Sequence, residues 1–400
     1  MELIFLCGLF PKNRETEIYK NSKNIIHTGP NNLQWTFVSG LEEHFSKFTI
    51  ITTPLLTNFP KGFRKLFFWG SIFHVNKNIE GICLGSIRLP IIGLVSKFLN
   101  MFFLLIKKFY FKKNVNILVY SVHIPYLFAA VFFKLFNPST KICLFVNDLP
   151  QFMSDNKNRL YLFFKSIEVF IFNRLQKNVD SYIFVTSQTN SLINLKNKPW
   201  ALIEGVYNVD ESHKIDDNLN DNTTNIILYT GTLDSRYGLQ DLIDAFFLIN
   251  NKNYELWICG DGDLKDDIIN LTSTNNKIKY LGLLSHQNVI KLQLKATVLV
   301  NPRKPFGEYT KYSFPIKTLE YLAAGKPCIM YDLPGIPRDY LKYIVIPEDE
   351  SVNSLKAAII DVCEWDLQKR IQFCRNAFEF IKNNKSSKVQ FAKLSKLIES

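Results

Sequence analysis

The chain has 400 residues and a mass of 46.5 kDa, which is too long for one ordinary hydrophobic core and favours two domains. Apolar residues make up 47% and aromatic residues 14% of the sequence, so an intrinsically disordered chain is excluded. The formal net charge of +12 indicates an anionic partner: a nucleic acid, a membrane surface or a phosphorylated substrate.

The charge is unevenly divided between the two halves of the chain. Residues 1–200 contain 24 Lys+Arg against 10 Asp+Glu, and they hold 26 of the 34 Phe. Residues 201–400 contain 24 against 26, which leaves a net charge of −2. A coding sequence rich in A and T would also enrich Phe and Lys, but it should affect both halves alike. We interpret the asymmetry as functional and keep the compositional bias as the alternative.

Short apolar runs alternate with amphipathic segments through the first half. This alternation predicts a parallel sheet with helices on both faces, and its first run is a strand rather than a signal peptide. The predicted strands are 1–9, 48–52, 117–120, 142–146 and 182–185. The predicted helices are 35–48, 125–136 and 160–177.

Segment 91–111 is the closest approach to a membrane span in the sequence. Lys97, Asn100, Lys107 and Lys108 interrupt it, whereas a span needs about 20 clean apolar residues. The segment is therefore predicted to be an amphipathic or buried helix with a basic end.

The polar segment 206–225 contains almost no large apolar residue and is predicted to be a linker or surface loop. Beyond it the alternating pattern restarts, with predicted strands at 226–229, 254–259, 278–281, 298–301 and 328–331. We therefore predict two doubly wound domains, 1–205 and 226–375. A helical segment, 376–400, is expected to pack back on the first domain.

Seven cysteines are scattered through apolar runs, with no CxxC pair and no Cys/His cluster. Neither a zinc site nor a disulfide framework is indicated, and the pattern is typical of a reducing cytosol. Asp261 and Asp263 belong to a Gly-rich turn rather than to a metal site. No metal is predicted.

The strongest chemical motif is 299–327, where a strand is followed by a polar loop and a helix. Arg303 lies in the loop, and Ser313 and Pro315 are suited to begin the helix. Lys317 falls in the first turn, where a cation opposes the helix dipole, so a bound anion is expected. Glu320 is three residues further on and could accept hydrogen bonds from a ribose diol. The alternative is an ordinary capped helix with a solvated lysine and glutamate.

A second motif is YTGTLDSRYG at 229–238, in which a strand enters a glycine turn. The backbone at Gly231 and Thr232 can approach a phosphate, and Arg236 can bind it with two hydrogen bonds. The turn is too common to carry a function alone. Neither a GxGxxG nor a P-loop motif is present.

Together the segments YTGTLDSRYGLQDLIDAF, LWICGDGD, YLGLLSH, LVNPR and SFPIKTLEYLAAGKPCI resemble the donor domain of GT-B-fold, family 4 retaining glycosyltransferases. They span about 226–335, close to the whole second domain. The first half resembles the acceptor domain more loosely, through NNLQWTFVSGL, YSVHIPYLFAA and FVNDLPQFM. The resemblance implies a GT-B architecture, two Rossmann-like doubly wound domains that face each other across a cleft.

The resemblance also implies roles for individual residues. Glu320 matches the glutamate that holds the donor ribose, and His123 matches a catalytic histidine near the transferred sugar. Implied donor-binding residues are Gly231, Thr232, Arg236, Leu283, Arg303, Ser313, Phe314, Pro315, Lys317 and Glu320. On the acceptor side the implied residues are Asn32, Gln34 and Asp148. Tyr312 stands where the family often has a first glutamate, which leaves the donor identity open.

The implied reaction moves a hexose or N-acetylhexosamine from a UDP- or GDP-sugar to a glycan hydroxyl, with no cofactor. Segments 61–74 and 98–113 mix Phe and Trp with Lys and Arg, which suits an anionic membrane and a lipid-linked acceptor. We therefore expect a cytoplasmic enzyme, attached to the inner face of the membrane, that assembles capsule, O-antigen or exopolysaccharide. The alternatives are a GT-B nucleotide-sugar epimerase and an inactive nucleotide-sugar-binding partner. A nucleic-acid-binding protein is disfavoured, because no recognised motif is present.

Overall fold

The computed structural model describes residues 2–23, 28–147, 149, 151, 159–193, 195, 197–207 and 224–399. The chain divides into two compact units. The first combines Met1–Val206 with Ser387–Ser400, and the second is Tyr207–Ser386. Asp148 and most of the predicted linker, 208–223, lie outside the described residues.

The first unit is built on an eight-stranded sheet in the order β10-β9-β8-β7-β1-β2-β5-β4, parallel except for its edge strand β4. Two further short strands, β3 and β6, form an antiparallel pair. The strands are β1 (Glu2–Cys7), β2 (Phe48–Thr52), β3 (Phe67–Phe68), β4 (Ser71–His74), β5 (Ile79–Cys83), β6 (Ser86–Ile87), β7 (Val115–Tyr120), β8 (Lys141–Val146), β9 (Ser181–Phe184) and β10 (Trp200–Leu202). The helices are α1 (Glu15–Asn21), α2 (Thr28–His44), α3 (Pro90–Phe109), α4 (Ile124–Phe136) and α5 (Arg159–Leu175), and the last helix of the chain, α12 (Ser387–Glu399), completes the unit.

Side chains of the central strands alternate between two packed faces of this sheet. Ile4 and Leu6 of β1 belong to the core shared with helices α3, α4 and α5. Phe5, between them, stacks on Phe37 of α2 at 6.4 Å. Neighbouring residues of a strand point to opposite faces, so both faces are covered by helices. The predicted doubly wound architecture is confirmed.

Helix α12 packs against α2 through one close approach. The ring of Phe391 lies 5.1 Å from that of Phe37. A Cβ atom at Gly40 would lie within 2.3 Å of two Phe391 ring carbons, so only glycine leaves room for this ring. The preceding helix, residues 367–384, belongs to the second unit.

Helix α3 buries one stripe of residues in the core, while other apolar side chains of the same helix are exposed. Its buried residues fall every fourth position: Gly93, Lys97, Met101, Leu105 and Phe109. Six of its apolar side chains are exposed, namely Ile91, Ile92, Leu94, Val95, Leu99 and Phe103. Among the described residues α3 is one helix that is long and apolar enough to cross a membrane. Of its apolar 18-residue stretch, 22% is buried. The amphipathic character expected for this segment is present, with Lys107 and Lys108 in its last turn.

The second unit contains a five-stranded, all-parallel sheet in the order β13-β12-β11-β14-β15. The strands are β11 (Asn225–Thr230), β12 (Tyr254–Cys259), β13 (Ile278–Tyr280), β14 (Val298–Asn301) and β15 (Cys328–Met330). The helices are α6 (Leu239–Ile249), α7 (Lys265–Thr274), α8 (His286–Lys295), α9 (Lys317–Ala323), α10 (Val352–Glu364) and α11 (Leu367–Asn384).

The largest departures from the predicted elements lie in the first unit. Helix α2 begins at Thr28 rather than at residue 35, and strands β3 to β6 occupy a stretch for which no strand was predicted. Strand β4 is an antiparallel edge strand with one buried residue, Phe73, and two exposed ones. Its four residues include only two large apolar ones, Ile72 and Phe73, so no apolar run indicated a strand, and a half-exposed edge strand needs none.

Candidate functional site

The predicted donor residues other than Leu283 follow the carboxyl ends of β11 and β14 along the chain. These two strands are neighbours at the point where the strand order reverses, which is where open α/β sheets bind ligands. Strand β11 continues into Gly231, and β14 continues into Arg303. Helix α9, which follows the loop after β14, carries Lys317 and Glu320.

Gly231 is required by the close approach of a lysine. Its φ is +143°, and a Cβ atom there would lie 2.4 Å from Nζ of Lys317. Its amide donates to the carbonyl of Cys259 at 2.9 Å, so the turn is tied to the end of β12. The absence of a side chain at Gly231 therefore makes room for the Lys317 ammonium. The approach of a phosphate to this turn stays a prediction.

Lys317 is a half-buried cation. Its Nζ donates to the hydroxyl of Tyr229 at 3.2 Å and lies 4.3 Å from the centroid of that ring. The pKa of Lys317 is lowered to about 8, because the effect of burial, to which the charge of Arg303 adds, outweighs the opposing charge of Glu320. Within the described residues no carboxylate lies within 4 Å of Nζ. The ammonium is held in place by an aromatic ring, and none of the carboxylates that the structure describes forms an ion pair with it.

Arg303 is a second buried cation, with 8% of its surface exposed. Its Nη2 donates to Oγ of Ser313 at 2.8 Å, and its guanidinium lies 4.8 Å from the Tyr309 ring and 5.4 Å from the Tyr237 ring. Its Nε is buried and has no hydrogen-bond partner in the described part of the chain. A buried N–H without a partner is unfavourable, so this group is suited to an incoming anion.

Glu320 lies one turn after Lys317 on the same helix. Burial raises the pKa of its carboxyl, whereas the charges of His286 and Lys317 and a hydrogen bond with Gln293 lower it. The amide of Gln293 also reaches Oγ1 of Thr230 at 3.4 Å, so it links the carboxylate to the end of β11. One carboxylate and two cations therefore share this end of the sheet.

The loop before α9 differs from the predicted cap. Oγ of Ser313 accepts from Arg303 and donates to the carbonyl of Tyr309 at 3.1 Å, so it does not cap the helix. The carbonyl of Pro315 accepts from the amide of Thr318 at 2.8 Å. The expectation of a Ser313 cap is wrong, because this serine instead positions Arg303.

Phe314 is a packing residue of the same loop. It is 8% exposed, and its ring lies 5.3 Å from that of Tyr340.

Helix α9 has only seven residues, so its dipole contributes less to the positive potential of the site than the two side-chain cations do.

Arg236 is already paired within its own turn. Its Nη2 lies 2.6 Å from Oδ2 of Asp234, and its Nε donates to Oδ1 of the same carboxylate at 2.9 Å. The neighbouring carbonyl of Thr232 accepts from the Tyr229 hydroxyl at 2.7 Å. Arg236 is exposed, and Asp234 offsets its charge, so most of the unbalanced positive charge comes from Lys317 and Arg303.

Leu283 lies in the loop after β13 and is 72% exposed. The preceding residue, Gly282, has a φ of +71°, and its carbonyl accepts from the amide of Gly260 at 2.9 Å. The loop is therefore anchored to the end of β12 and leaves the Leu283 side chain outside, where it can pack on a flat ligand.

The predicted acceptor-side residues are found in the first unit. Gln34 is fully buried; its Oε1 accepts from the amide of Gly8 at 2.7 Å, and its Nε2 donates to the carbonyl of Pro30 at 3.0 Å. The amide therefore connects the turn after β1 to the first residues of α2. Asn32 is exposed, and its carbonyl accepts from the hydroxyl of Thr36 at 3.1 Å.

His123 is the residue directly before helix α4, three positions after the last residue of β7. Its ring stacks on that of Tyr126 with 4.3 Å between centroids, and its Nδ1 is buried with no hydrogen-bond partner among the residues that the structure describes. Burial lowers its pKa well below the usual range, and the charges of Lys97 and Arg88 lower it further. The imidazole is therefore neutral at pH 7.

The sequence pattern missed the three tyrosines that surround the two cations, Tyr229, Tyr237 and Tyr309. Tyr229 lies inside an apolar strand and Tyr237 inside a turn, so periodicity alone predicts no ligand contact for either. The one available signal is the repeated pairing of tyrosine with Lys or Arg in both motifs. Among the described residues no group of three or more His, Cys, Asp or Glu could hold a metal ion.

Part of the chain matches a known family model. Residues 210–380 match the model of the family Glycosyl transferases group 1, a range that includes every predicted donor residue. No curated protein matches the chain.

Solved structures match the chain over almost its whole length at low sequence identity. Sucrose-phosphate synthase from Thermosynechococcus elongatus is 13% identical with a TM-score of 0.68, over 100% of this chain and 99% of that chain. The HepE protein of Anabaena in complex with UDP is 12% identical with a TM-score of 0.63, over 100% of both chains. The lipopolysaccharide outer core galactosyltransferase WaaB is 14% identical with a TM-score of 0.59, over 98% of this chain and 100% of that chain. The fold is that of the GT-B glycosyltransferases, as the sequence predicted.

Proposed function

We propose that this protein transfers a sugar from a nucleoside diphosphate sugar to a hydroxyl of a glycan acceptor, because residues 210–380 match the model of the family Glycosyl transferases group 1. The observation that carries the proposal is the pair of cations at the ends of β11 and β14. Lys317 and Arg303 are held by tyrosines and by Ser313, and neither has a carboxylate counter-ion among the described residues.

The two cations match the charge that develops during sugar transfer. A nucleoside diphosphate leaving group gains negative charge as its bond to the sugar breaks. Positive groups that are already in place stabilise this charge without reorganising, and burial strengthens their effect. Lys317 and Arg303 are held by tyrosine rings and hydrogen bonds of the protein itself.

Glu320 is assigned to the ribose of the donor. A carboxylate accepts two hydrogen bonds from the 2′- and 3′-hydroxyls. Burial raises the pKa of Glu320, and the charges of His286 and Lys317 oppose this rise. The nucleotide is UDP or GDP in this proposal. The exposed Leu283 is assigned to the base, because an apolar side chain on an anchored loop can pack on a flat ring.

The chemical step breaks the bond between the anomeric carbon and the diphosphate oxygen and forms a bond to the acceptor oxygen. The departing phosphate oxygen takes the electron pair of the broken bond and the proton of the acceptor hydroxyl. We propose front-face transfer with retention of configuration, for a hexosyl or N-acetylhexosaminyl group. His123, neutral at pH 7, is assigned to a hydrogen bond with the transferred sugar rather than to charge stabilisation.

The acceptor is proposed to be a lipid-linked saccharide of capsule, O-antigen or exopolysaccharide assembly. Support comes from the exposed apolar side of α3 and from Trp69 and Phe111, which are 75% and 93% exposed beside several lysines and arginines. Basic and aromatic side chains together favour an anionic membrane surface. We accordingly propose attachment to the cytoplasmic face of the membrane.

The test is a release assay with a panel of UDP- and GDP-sugars, each incubated with and without a membrane lipid extract. Nucleoside diphosphate release that needs the extract supports transfer. An epimerase would convert a nucleotide sugar without the extract, and an inactive binding partner would bind a nucleotide sugar without releasing its nucleotide. Either of these two outcomes would replace the proposal.

A further inference from the structure

The first unit contains a cavity between its sheet and the end of helix α12. Its volume is about 200 Å³. Strands β7, β8 and β9 contribute Asn116, Leu118, Cys143 and Ser181 to its lining, and α12 contributes Leu397 and Ile398. A cavity of about 150 Å³ admits a molecule the size of benzene, so this one has room for a small organic ligand.

The pairing of the strands places the lining side chains on one face of the sheet. Leu118 pairs with Cys143, and Cys143 pairs with Ser181, so one row of side chains crosses three strands. Asn116 lies two residues before Leu118 on β7 and therefore points to the same face. Ile117, between them, belongs to the core on the opposite face, which α3, α4 and α5 cover. The Asn116 amide is thus directed toward the cavity.

Asn116 is a buried amide that lacks a partner. The residue is 8% exposed, and within the described part of the chain its side chain makes no hydrogen bond. A buried amide without a partner is unfavourable, and most such groups in proteins are paired. The side chain offers two N–H donors and one carbonyl acceptor, so a polar group inside the cavity can satisfy it.

The charged groups around the cavity leave one positive charge unpaired. Asp180 is already satisfied, since Nζ of Lys134 donates to both of its carboxylate oxygens at 2.6 Å and the amide of Ile142 donates to Oδ2 at 2.7 Å. Lys141 also lines the cavity; it is exposed, and no carboxylate among the described residues pairs with it. Burial raises the pKa of the Cys143 thiol to about 12, so this group is neutral at pH 7.

We propose that this cavity binds a small monocarboxylate with an apolar body, such as an aromatic or short aliphatic acid. The apolar body packs on Leu118, Leu397 and Ile398. The Asn116 amide donates to a carboxylate oxygen, and Lys141 offsets the charge. A diphosphate would bring several charges against an apolar wall with a single cation to balance them, which is unfavourable.

The cavity is separate from the residues assigned to sugar transfer. Asn116 lies at the amino end of β7, whereas His123 follows the carboxyl end. At 3.3 Å per residue the two ends of this strand are about 16 Å apart. The donor residues belong to the second unit.

The test is equilibrium dialysis of benzoate, and of its neutral counterpart benzamide, against the full chain. We expect one saturable benzoate site per wild-type chain that saturating UDP leaves unchanged, and weaker binding of benzamide. Lys141→Met should weaken benzoate binding about two- to fivefold, the range for an exposed charge pair, and should not affect benzamide. Lys107→Met is the matched control, at an exposed lysine of α3 on the other face of the sheet, and should change neither affinity.

Asn116→Leu is the second variant, because it keeps the size of the side chain and removes the amide. It should weaken the binding of both ligands by about two- to tenfold, and circular dichroism establishes that each variant is folded. Lack of saturable benzoate binding by the wild type would overturn the inference. Wild-type benzoate affinity in both variants would also overturn it, and so would displacement of benzoate by UDP, which would assign the ligand to Lys317 and Arg303.

Discussion

Nζ of Lys317 lies 3.2 Å from the hydroxyl of Tyr229, although the two residues are 88 positions apart in the chain. The same hydroxyl donates to the carbonyl of Thr232, so the lysine, the strand end and the glycine turn form one connected unit. The contact holds a cation at the end of β11 without neutralising it. The binding of an anion at this place therefore needs little rearrangement.

Lys317→Met is expected to weaken UDP binding by about 10- to 100-fold while leaving uridine binding unchanged, because the lost charge faces the diphosphate. Calorimetry with the two ligands measures both effects. Lys304→Met is the matched control, since the ammonium of Lys304 pairs with Asp241 at 3.0 Å. Equal losses for UDP and uridine would contradict a diphosphate contact.

The same lysine predicts a pH dependence of nucleotide binding. Burial lowers the pKa of Lys317 to about 8, so the side chain is charged below pH 8 and loses its charge above it. The affinity of the wild type for UDP is expected to fall as the pH rises from 7 to 9. The affinity of Lys317→Met should change less over this interval, and parallel curves would contradict the assignment.

Glu320→Gln is expected to remove the discrimination between UDP and its 2′-deoxy analogue. The carboxylate accepts a hydrogen bond from the 2′-hydroxyl more strongly than an amide does, and such charged bonds are worth about 1.5–3 kcal/mol. Affinities of both nucleotides for the wild type and the variant complete a double-mutant cycle. Glu308→Gln, at an exposed glutamate of the same unit, is the control. A variant that still prefers UDP would show that Glu320 does not hold the ribose.

Gly231→Ala is expected to destabilise the protein by about 1–3 kcal/mol and to weaken UDP binding. The φ of +143° disfavours alanine, and the new Cβ atom would displace the Lys317 ammonium. Urea unfolding and calorimetry measure the two effects. Gly29→Ala is the control, because a Cβ atom there would have no neighbour within 4 Å. Unchanged UDP binding together with reduced stability would show that alanine strains the backbone but does not displace the Lys317 ammonium.

Charge reversal at Lys61 and Arg64, two exposed residues before the edge strands, is expected to weaken binding to anionic vesicles by about tenfold or more. Each basic residue near an anionic surface contributes about 1 kcal/mol. Vesicle sedimentation of Lys61→Glu/Arg64→Glu measures the change. The control pair is Lys291→Glu/Lys295→Glu, on an exposed side of α8 in the second unit. Similar losses for both pairs would point to net charge rather than to a membrane-binding face.

Lys97→Met is expected to be more stable than the wild type by a margin that shrinks as the pH rises from 7 to 9.5. The ordinary pKa of lysine is 10.5, and burial lowers that of Lys97 to about 7. Between these values the unfolded chain binds more protons than the folded one, so the wild type gains stability with rising pH. Urea unfolding at several pH values measures the margin, with Lys107→Met as the control. A margin independent of pH would contradict the burial of the charge.

The sequence determined the architecture and the positions of the donor motifs. Apolar runs of strand length between amphipathic segments are local signals, and they placed β11, β14 and α9 within a few residues of their bounds. The spacing of Lys317 and Glu320 on one helix is likewise a local property, so the sequence alone put them on one side of α9. Gly231 was recognisable as a turn residue, because a glycine directly after a strand is also a local pattern.

Only the tertiary structure decided which charges remain uncompensated. Arg236 fits the predicted pattern as well as Arg303 does, yet Asp234 pairs with the former while the latter lies buried between two tyrosine rings. Lys97 reads as an interruption of an apolar helix, and only the packing of α3 shows that it points into the core. The charge that a group presents depends on burial and on partners brought from distant parts of the chain, and no local pattern contains either.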